Sequence, residues 1–140
     1  MAVKSDFSEE EWAGLEKGVT GAGLYVSLAD RGFFDTFKEV GALSKHLKEA
    51  REHNPSTLVR DLAAVRGTGF GMTERPEAVE KETLEALQSA VGTLQAKAPD
   101  EVDAYRSFVL DIAESVAKAA GGVADSETGA IEKIRTALDS

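Results

Sequence analysis

From Val102 to Ala119 the apolar residues Val102, Tyr105, Val109, Ile112, Val116 and Ala119 recur three and four positions apart. That spacing lines them up on one side of an α-helix and would scatter them over both faces of a strand. A helix striped in this way must bury the stripe against something else. The same period returns in five other segments, and none of the chain sustains a two-residue alternation rich in β-branched residues, so the expected architecture is all-α, a single-domain bundle of about six helices.

The ends of these segments are marked by their chemistry. Ser8 precedes Glu9, Glu10 and Glu11, a capping-box opening in which the hydroxyl accepts from the backbone at Glu11 and that carboxylate returns the bond. The first helix should start there, carry Trp12, Leu15, Val19, Ala22, Val26 and Ala29 inward, and end near Asp30-Arg31-Gly32. A second helix is expected from Phe33 or Phe34 through Phe37, Val40, Leu43, Leu47 and Ala50, ending before Asn54-Pro55. Asn54 as cap with Pro55 at the first helical position should open a short third one bearing Leu58, Val59, Leu62 and Val65. Pro76 or Glu77 begins a fourth with Leu84, Leu87, Val91 and Leu94; Pro99 opens the fifth; Ser126 caps a sixth carrying Ala130, Ile131, Ile134 and Leu138. Residues 1–7 read as an N-terminal tail to one domain spanning 8–140. Gly14, Gly18 and Gly21 run beside the first stripe, and each costs up to about 1 kcal/mol against alanine unless close packing compensates. The small residues Ala113, Ala117 and Ala120 on the fifth helix are the expected counterpart.

Composition narrows the function. At 140 residues and 42% hydrophobic, the chain suits one core of its own. Its formal charge of −9 argues against nucleic acid as a partner, since phosphate backbones are held by clustered Lys and Arg. The acidity is uneven, with 14 acidic against 7 basic side chains from Gly71 onward and 11 against 9 before it. The absence of cysteine removes disulfides, thiolate zinc sites and thiol nucleophiles. No run reaches about 18 apolar residues, so no membrane span is expected, and the acidic start MAVKSDFSEEEW does not read as a secretory signal. A cytoplasmic location is the resulting expectation.

One stretch resembles a known family. FVLDIAESVAKAAGGVADSETGAIEKIRTAL, Phe108 to Leu138, looks like the second helical hairpin of tellurite-resistance TerB-like domains, with Ala119, Gly121, Val123, Glu127, Ile131, Ile134, Ala137 and Leu138 in register. Ala120 departs from it, standing where the family places an aspartate associated with metal binding. LADRGFFDTFKE, Leu28 to Glu39, resembles the partner hairpin more loosely, keeping Asp30 but inserting Arg31 before the glycine. The resemblance implies a helical bundle and a stress-related role involving metal ions, often through protein partners.

The candidate sites follow from residue types and spacing. Asp30, Asp35 and Glu39 could converge on a divalent cation, although calcium wants six to eight oxygens and acids at a helix start also serve simply to neutralise its dipole. Asp125 and Glu127 carry the same structural explanation. His46, Glu49 and His53 share one side of the second helix, but two histidines seven residues apart stand about 10 Å apart along the axis, and Lys45, Lys48 and Arg51 around them repel cations. Neither histidine has Glu three residues before it, which discards a ferritin-type iron centre. GTGFG, Gly67 to Gly71, lacks the Gly-Lys-Ser/Thr ending of a phosphate loop and follows no strand, so it reads as a connection with Phe70 tucked against the bundle. No catalytic set emerges, because Ser44 and His46 point to different sides of their helix. The expected function is a non-enzymatic protein-interaction module with no resident cofactor, contacting a protein partner through Phe33, Phe34, Phe70 or the basic side of the second helix at Lys38 and Lys45. The alternative is a divalent-cation binder at the acidic helix turn.

Overall fold

The computed structural model describes residues 4–29, 36–64, 76–119 and 125–139, with side chains for 5–26, 44–64, 77–118 and 129–139. Within them the chain forms six α-helices: α1 Glu9–Ala29, α2 Thr36–His53, α3 Thr57–Leu62, α4 Pro76–Lys97, α5 Val102–Ala119 and α6 Asp125–Leu138. Single 3₁₀ turns precede α1 at Lys4–Asp6 and α5 at Pro99–Glu101. Among the described residues there is no strand, and no helix is long and apolar enough to cross a membrane.

The capping box forms as its sequence requires. The Ser8 amide donates to Glu11 Oε1 at 2.8 Å and the Glu11 amide donates to Ser8 Oγ at 3.1 Å, satisfying two donors that the first turn leaves open. The segment before it is tied down by apolar contact. Phe7 is buried, its ring centroid 5.9 Å from that of Trp12 and the Lys97 ammonium 6.0 Å over it, so the expected tail is anchored at its last residue.

Two starts differ from the sequence expectation. Ser56, not Asn54, caps α3: it sits in an extended conformation and its hydroxyl accepts from the Val59 amide at 3.2 Å. Asn54 instead accepts the Ser56 amide on its side-chain oxygen at 2.9 Å, closing a turn that delivers the chain to the cap. Pro55 therefore lies outside the helix. Ser126 lies inside α6, which begins at Asp125. The start of α2 expected at Phe33 or Phe34, Val65, Ala120 and the connection from Arg66 to Pro76 with Phe70 fall outside the described residues or side chains.

One buried cluster takes residues from all six helices, from Trp12 on α1 to Leu138 on α6. Its fully covered members include Leu15, Leu62, Leu87, Leu94, Ile112 and Ile134, each contributing about 1.5–3 kcal/mol by leaving water. α1 lies along α4 in the opposite direction: Glu11 meets Lys97, Gly18 meets Leu87, and Tyr25 meets Glu80. Gly18 sets the closeness of this approach. A Cβ there would run into the Tyr105 hydroxyl of α5 and come within 3.0 Å of Leu87, so Gly18 faces the seam of α4 and α5, whereas a Cβ at Gly14 would meet nothing within 4 Å. Ala113 and Ala117 are fully buried on α5, but the residue that meets Gly18 from that helix is Tyr105. Its hydroxyl donates to the Leu15 carbonyl at 2.9 Å, and complete burial holds the phenol un-ionised by pushing its pKa up.

α4 stops where Ala98, driven out of helical geometry by the proline after it, takes φ −150° and ψ 65°. The turn Pro99–Glu101 then redirects the chain. Glu101 accepts the Ser56 hydroxyl at 2.6 Å, fastening the start of α3 to the start of α5. At the far end of the chain, Arg106 Nε donates to the Leu138 carbonyl at 2.9 Å, covering one of the carbonyls that the end of α6 leaves open and placing a cation at the negative end of its dipole.

Candidate functional site

The chemistry-bearing residues of α2 divide according to which side of the helix they occupy. His46 and Leu47 are half-buried and Ala50 is buried, so this side faces the bundle. The His46 ring stacks on Phe108 of α5 with centroids 6.1 Å apart and planes 18° apart, and its Nδ1 lies 3.4 Å from Ser115 Oγ. Lys45, Lys48, Glu49, Arg51, Glu52 and His53 are exposed. His46 and His53, seven residues apart, share one side of α2 but stand about 10 Å apart along it; His46 packs on α5, while His53, at the end of the helix, reaches solvent.

That division rules out the shared transition-metal site on α2. His46 is engaged with α5, while His53 is 78% exposed and its nearest carboxylate, Glu52, stands 3.8 Å away, too long for a hydrogen bond. Among the described residues no group of three His, Asp or Glu side chains is placed to hold a metal ion. Asp30 and Asp35 lie outside the described residues, and Glu39 lies on α2 without a described side chain.

The Ser115–His46 pair has the atoms of a nucleophile and its base, but its geometry is that of packing. The separation is at the long limit of a hydrogen bond, and among the described residues no carboxylate bonds the other imidazole nitrogen. A serine activated for acyl transfer needs that third group to hold the ring.

Of the expected contact residues, Lys45 is exposed on α2. Lys38 lies on α2 without a described side chain, and Phe33, Phe34 and Phe70 lie outside the described residues. What distinguishes Lys45 is the company it keeps. Four cations elsewhere are engaged by neighbours: Lys17 pairs with Glu82 at 3.2 Å, Lys133 with Glu80 at 2.6 Å, Lys97 with Glu11, and Arg135 with Glu132 at 2.8 Å. Arg106 stands between Asp103 at 3.6 Å and Asp139 at 3.7 Å. Among the described residues Lys45, Lys48 and Arg51 make no ion pair, and they recur at every third position along one exposed helix. Among the described residues Arg60, Lys81 and Lys118 are also without an ion pair, no two of them on the same helix.

The pairs on α1, α4 and α6 show in the ionisation of their carboxylates. The hydrogen bond from Lys97 holds the Glu11 carboxyl below its usual range, aided by the Ser8 amide. Lys133 does the same for Glu80, which also accepts the Tyr25 hydroxyl at 3.2 Å. Burial and then the Glu80 charge push Tyr25 up to about 12. This Tyr25–Glu80–Lys133 chain ties α1, α4 and α6 together. Nothing in the local sequence around any of the three marks it, because it joins positions far apart in the chain.

Comparison with family models, with curated proteins and with solved structures yields no match.

Proposed function

We propose that the protein is a non-enzymatic interaction module that docks a protein partner through the outer side of α2, with Lys45, Lys48 and Arg51 meeting carboxylates on that partner. The observation that carries this reading is the contrast between these three exposed, unpaired cations and the intramolecular ion pairs that occupy most other described cations. Long basic side chains on a surface steer acidic partners and set register more than they add affinity. Selective but salt-sensitive binding is the consequence.

The experiment is affinity capture from cells that make the protein, comparing the wild type with a Lys45→Glu, Lys48→Glu, Arg51→Glu variant. The reading predicts partners that the wild type retains at about 50 mM salt and loses on the variant and near 1 M salt, where the screening length is only about 3 Å. Identical capture by both proteins contradicts it. The resemblance of residues 108–138 to TerB-like hairpins adds the proposal that this docking serves a chemical-stress response. Loss of the gene should then lower tellurite tolerance, and the charge-reversed variant should fail to restore it.

A further inference from the structure

α2 does not stand alone on its side of the molecule. His46 against Phe108 and Ser115 places it directly beside α5, and α5 turns Asp111 and Glu114 outward, both exposed and, among the described residues, both without an ion pair. The two neighbouring stripes carry small net charges of opposite sign, α2 interleaving its cations with the exposed Glu49 and Glu52 and α5 adding the exposed Lys118. Residues 44–53 of α2 hold three cations and two carboxylates, and residues 107–118 of α5 hold two carboxylates and one cation, so this face is close to neutral on a chain whose formal charge is −9.

Those facts select an occupant. Two copies of a strongly acidic protein repel each other over most of their surfaces and approach at least cost where the local charge cancels. A two-fold axis running along the seam of α2 and α5 lays each α2 over the other copy's α5, so that the basic stripe meets the acidic one twice, as an isologous contact requires. We propose that the partner docked on α2 is a second copy of this chain, held in a salt-sensitive dimer in which Lys45 and Lys48 of each copy face Asp111 and Glu114 of the other. The proposal rests on the reading of α2 as the docking side and supplies the chemistry of its partner.

The contact is weak by construction. Exposed ion pairs each contribute roughly 0–1 kcal/mol, and the stripes themselves offer charge rather than an apolar patch. Dimerisation should therefore depend on protein concentration and disappear as salt rises.

The test uses the whole chain and two surface variants, Lys45→Glu/Lys48→Glu and Asp111→Lys/Glu114→Lys, each checked for unchanged helical circular dichroism. Sedimentation velocity at about 20 mM salt, where the screening length is roughly 20 Å or more, should show the wild type dimerising as its concentration rises. Each variant alone should bind itself at least about tenfold more weakly, because it sets like charge against like. An equimolar mixture of the two should dimerise again, since every reversed charge then meets its opposite. A wild type that stays monomeric at low salt, or a dimer indifferent to both reversals, overturns the proposal. A monomeric wild type that still loses captured proteins when Lys45, Lys48 and Arg51 are reversed overturns only the second copy as partner and leaves α2 as the docking side.

Discussion

Thr83 is the polar residue whose position most invites a test. It is fully buried on α4 and its hydroxyl has no hydrogen-bond partner among the described residues, whereas Thr20, nearly as buried on α1, donates to the Glu16 carbonyl at 3.1 Å. An unpaired buried hydroxyl costs roughly 1–3 kcal/mol of desolvation. Thr83→Val keeps the shape and removes that cost, so chemical denaturation should show a gain of about 1 kcal/mol with an unchanged slope; a loss of similar size would mean that the hydroxyl is bonded. Tyr25 and Tyr105 make the complementary case, polar groups kept buried by bonds to Glu80 and to the Leu15 carbonyl. Both hold their proton above the ordinary value near 10, Tyr25 to about 12. A raised folded-state pKa leaves stability intact below the unfolded value and removes it as pH rises beyond. Between pH 10 and 12, unfolding free energy should fall by up to about 1.4 kcal/mol per pH unit for each tyrosine, and Tyr25→Phe should flatten the fall. Equal slopes for the two proteins would contradict the burial of that phenol.

At the scale of helices, the sequence was most legible where the signal is local. The capping box at Ser8 and the stripe of α1 from Trp12 to Val26 are contained within their own segments and appear as expected. The start of α3 is not decided locally, because Asn54 and Ser56 are both competent caps, and a distant residue favours one of them: Glu101 accepts the Ser56 hydroxyl and holds it in place. Of the glycine edge of α1, the close approach holds at Gly18, where Tyr105 and Leu87 arrive from two different helices, and fails at Gly14, which has open space. Gly18→Ala should therefore cost about 1–3 kcal/mol through overpacking against a tyrosine that cannot move without losing its bond. Gly14→Ala has open space around its new methyl and should gain about 0.5–1 kcal/mol from the stiffer unfolded chain. Thermal melts of the pair check this, and a gain at both positions would contradict the packing at Gly18.

Across the whole molecule, charge is arranged by helix. α1, α4 and α6 are laced by Lys17–Glu82, Lys97–Glu11 and Lys133–Glu80, while α2 presents Lys45, Lys48 and Arg51 to solvent. The basic side of α2 was visible in the sequence as a helical spacing of cations. Its distinction from the other cations was not, because that depends on which carboxylates the fold brings to Lys17, Lys97 and Lys133 from positions far along the chain. The candidate metal set of His46, Glu49 and His53 fails for the same reason in reverse, since α5 claims His46 through Phe108. The most direct measurement of the docking claim places a photo-reactive residue at position 45 and, in a second protein, at position 95, where Gln95 is exposed on α4, and irradiates living cells that make each one. The account predicts covalent adducts to protein from position 45, formed with a second copy or another chain, and none from position 95; adducts from position 95 alone would contradict it.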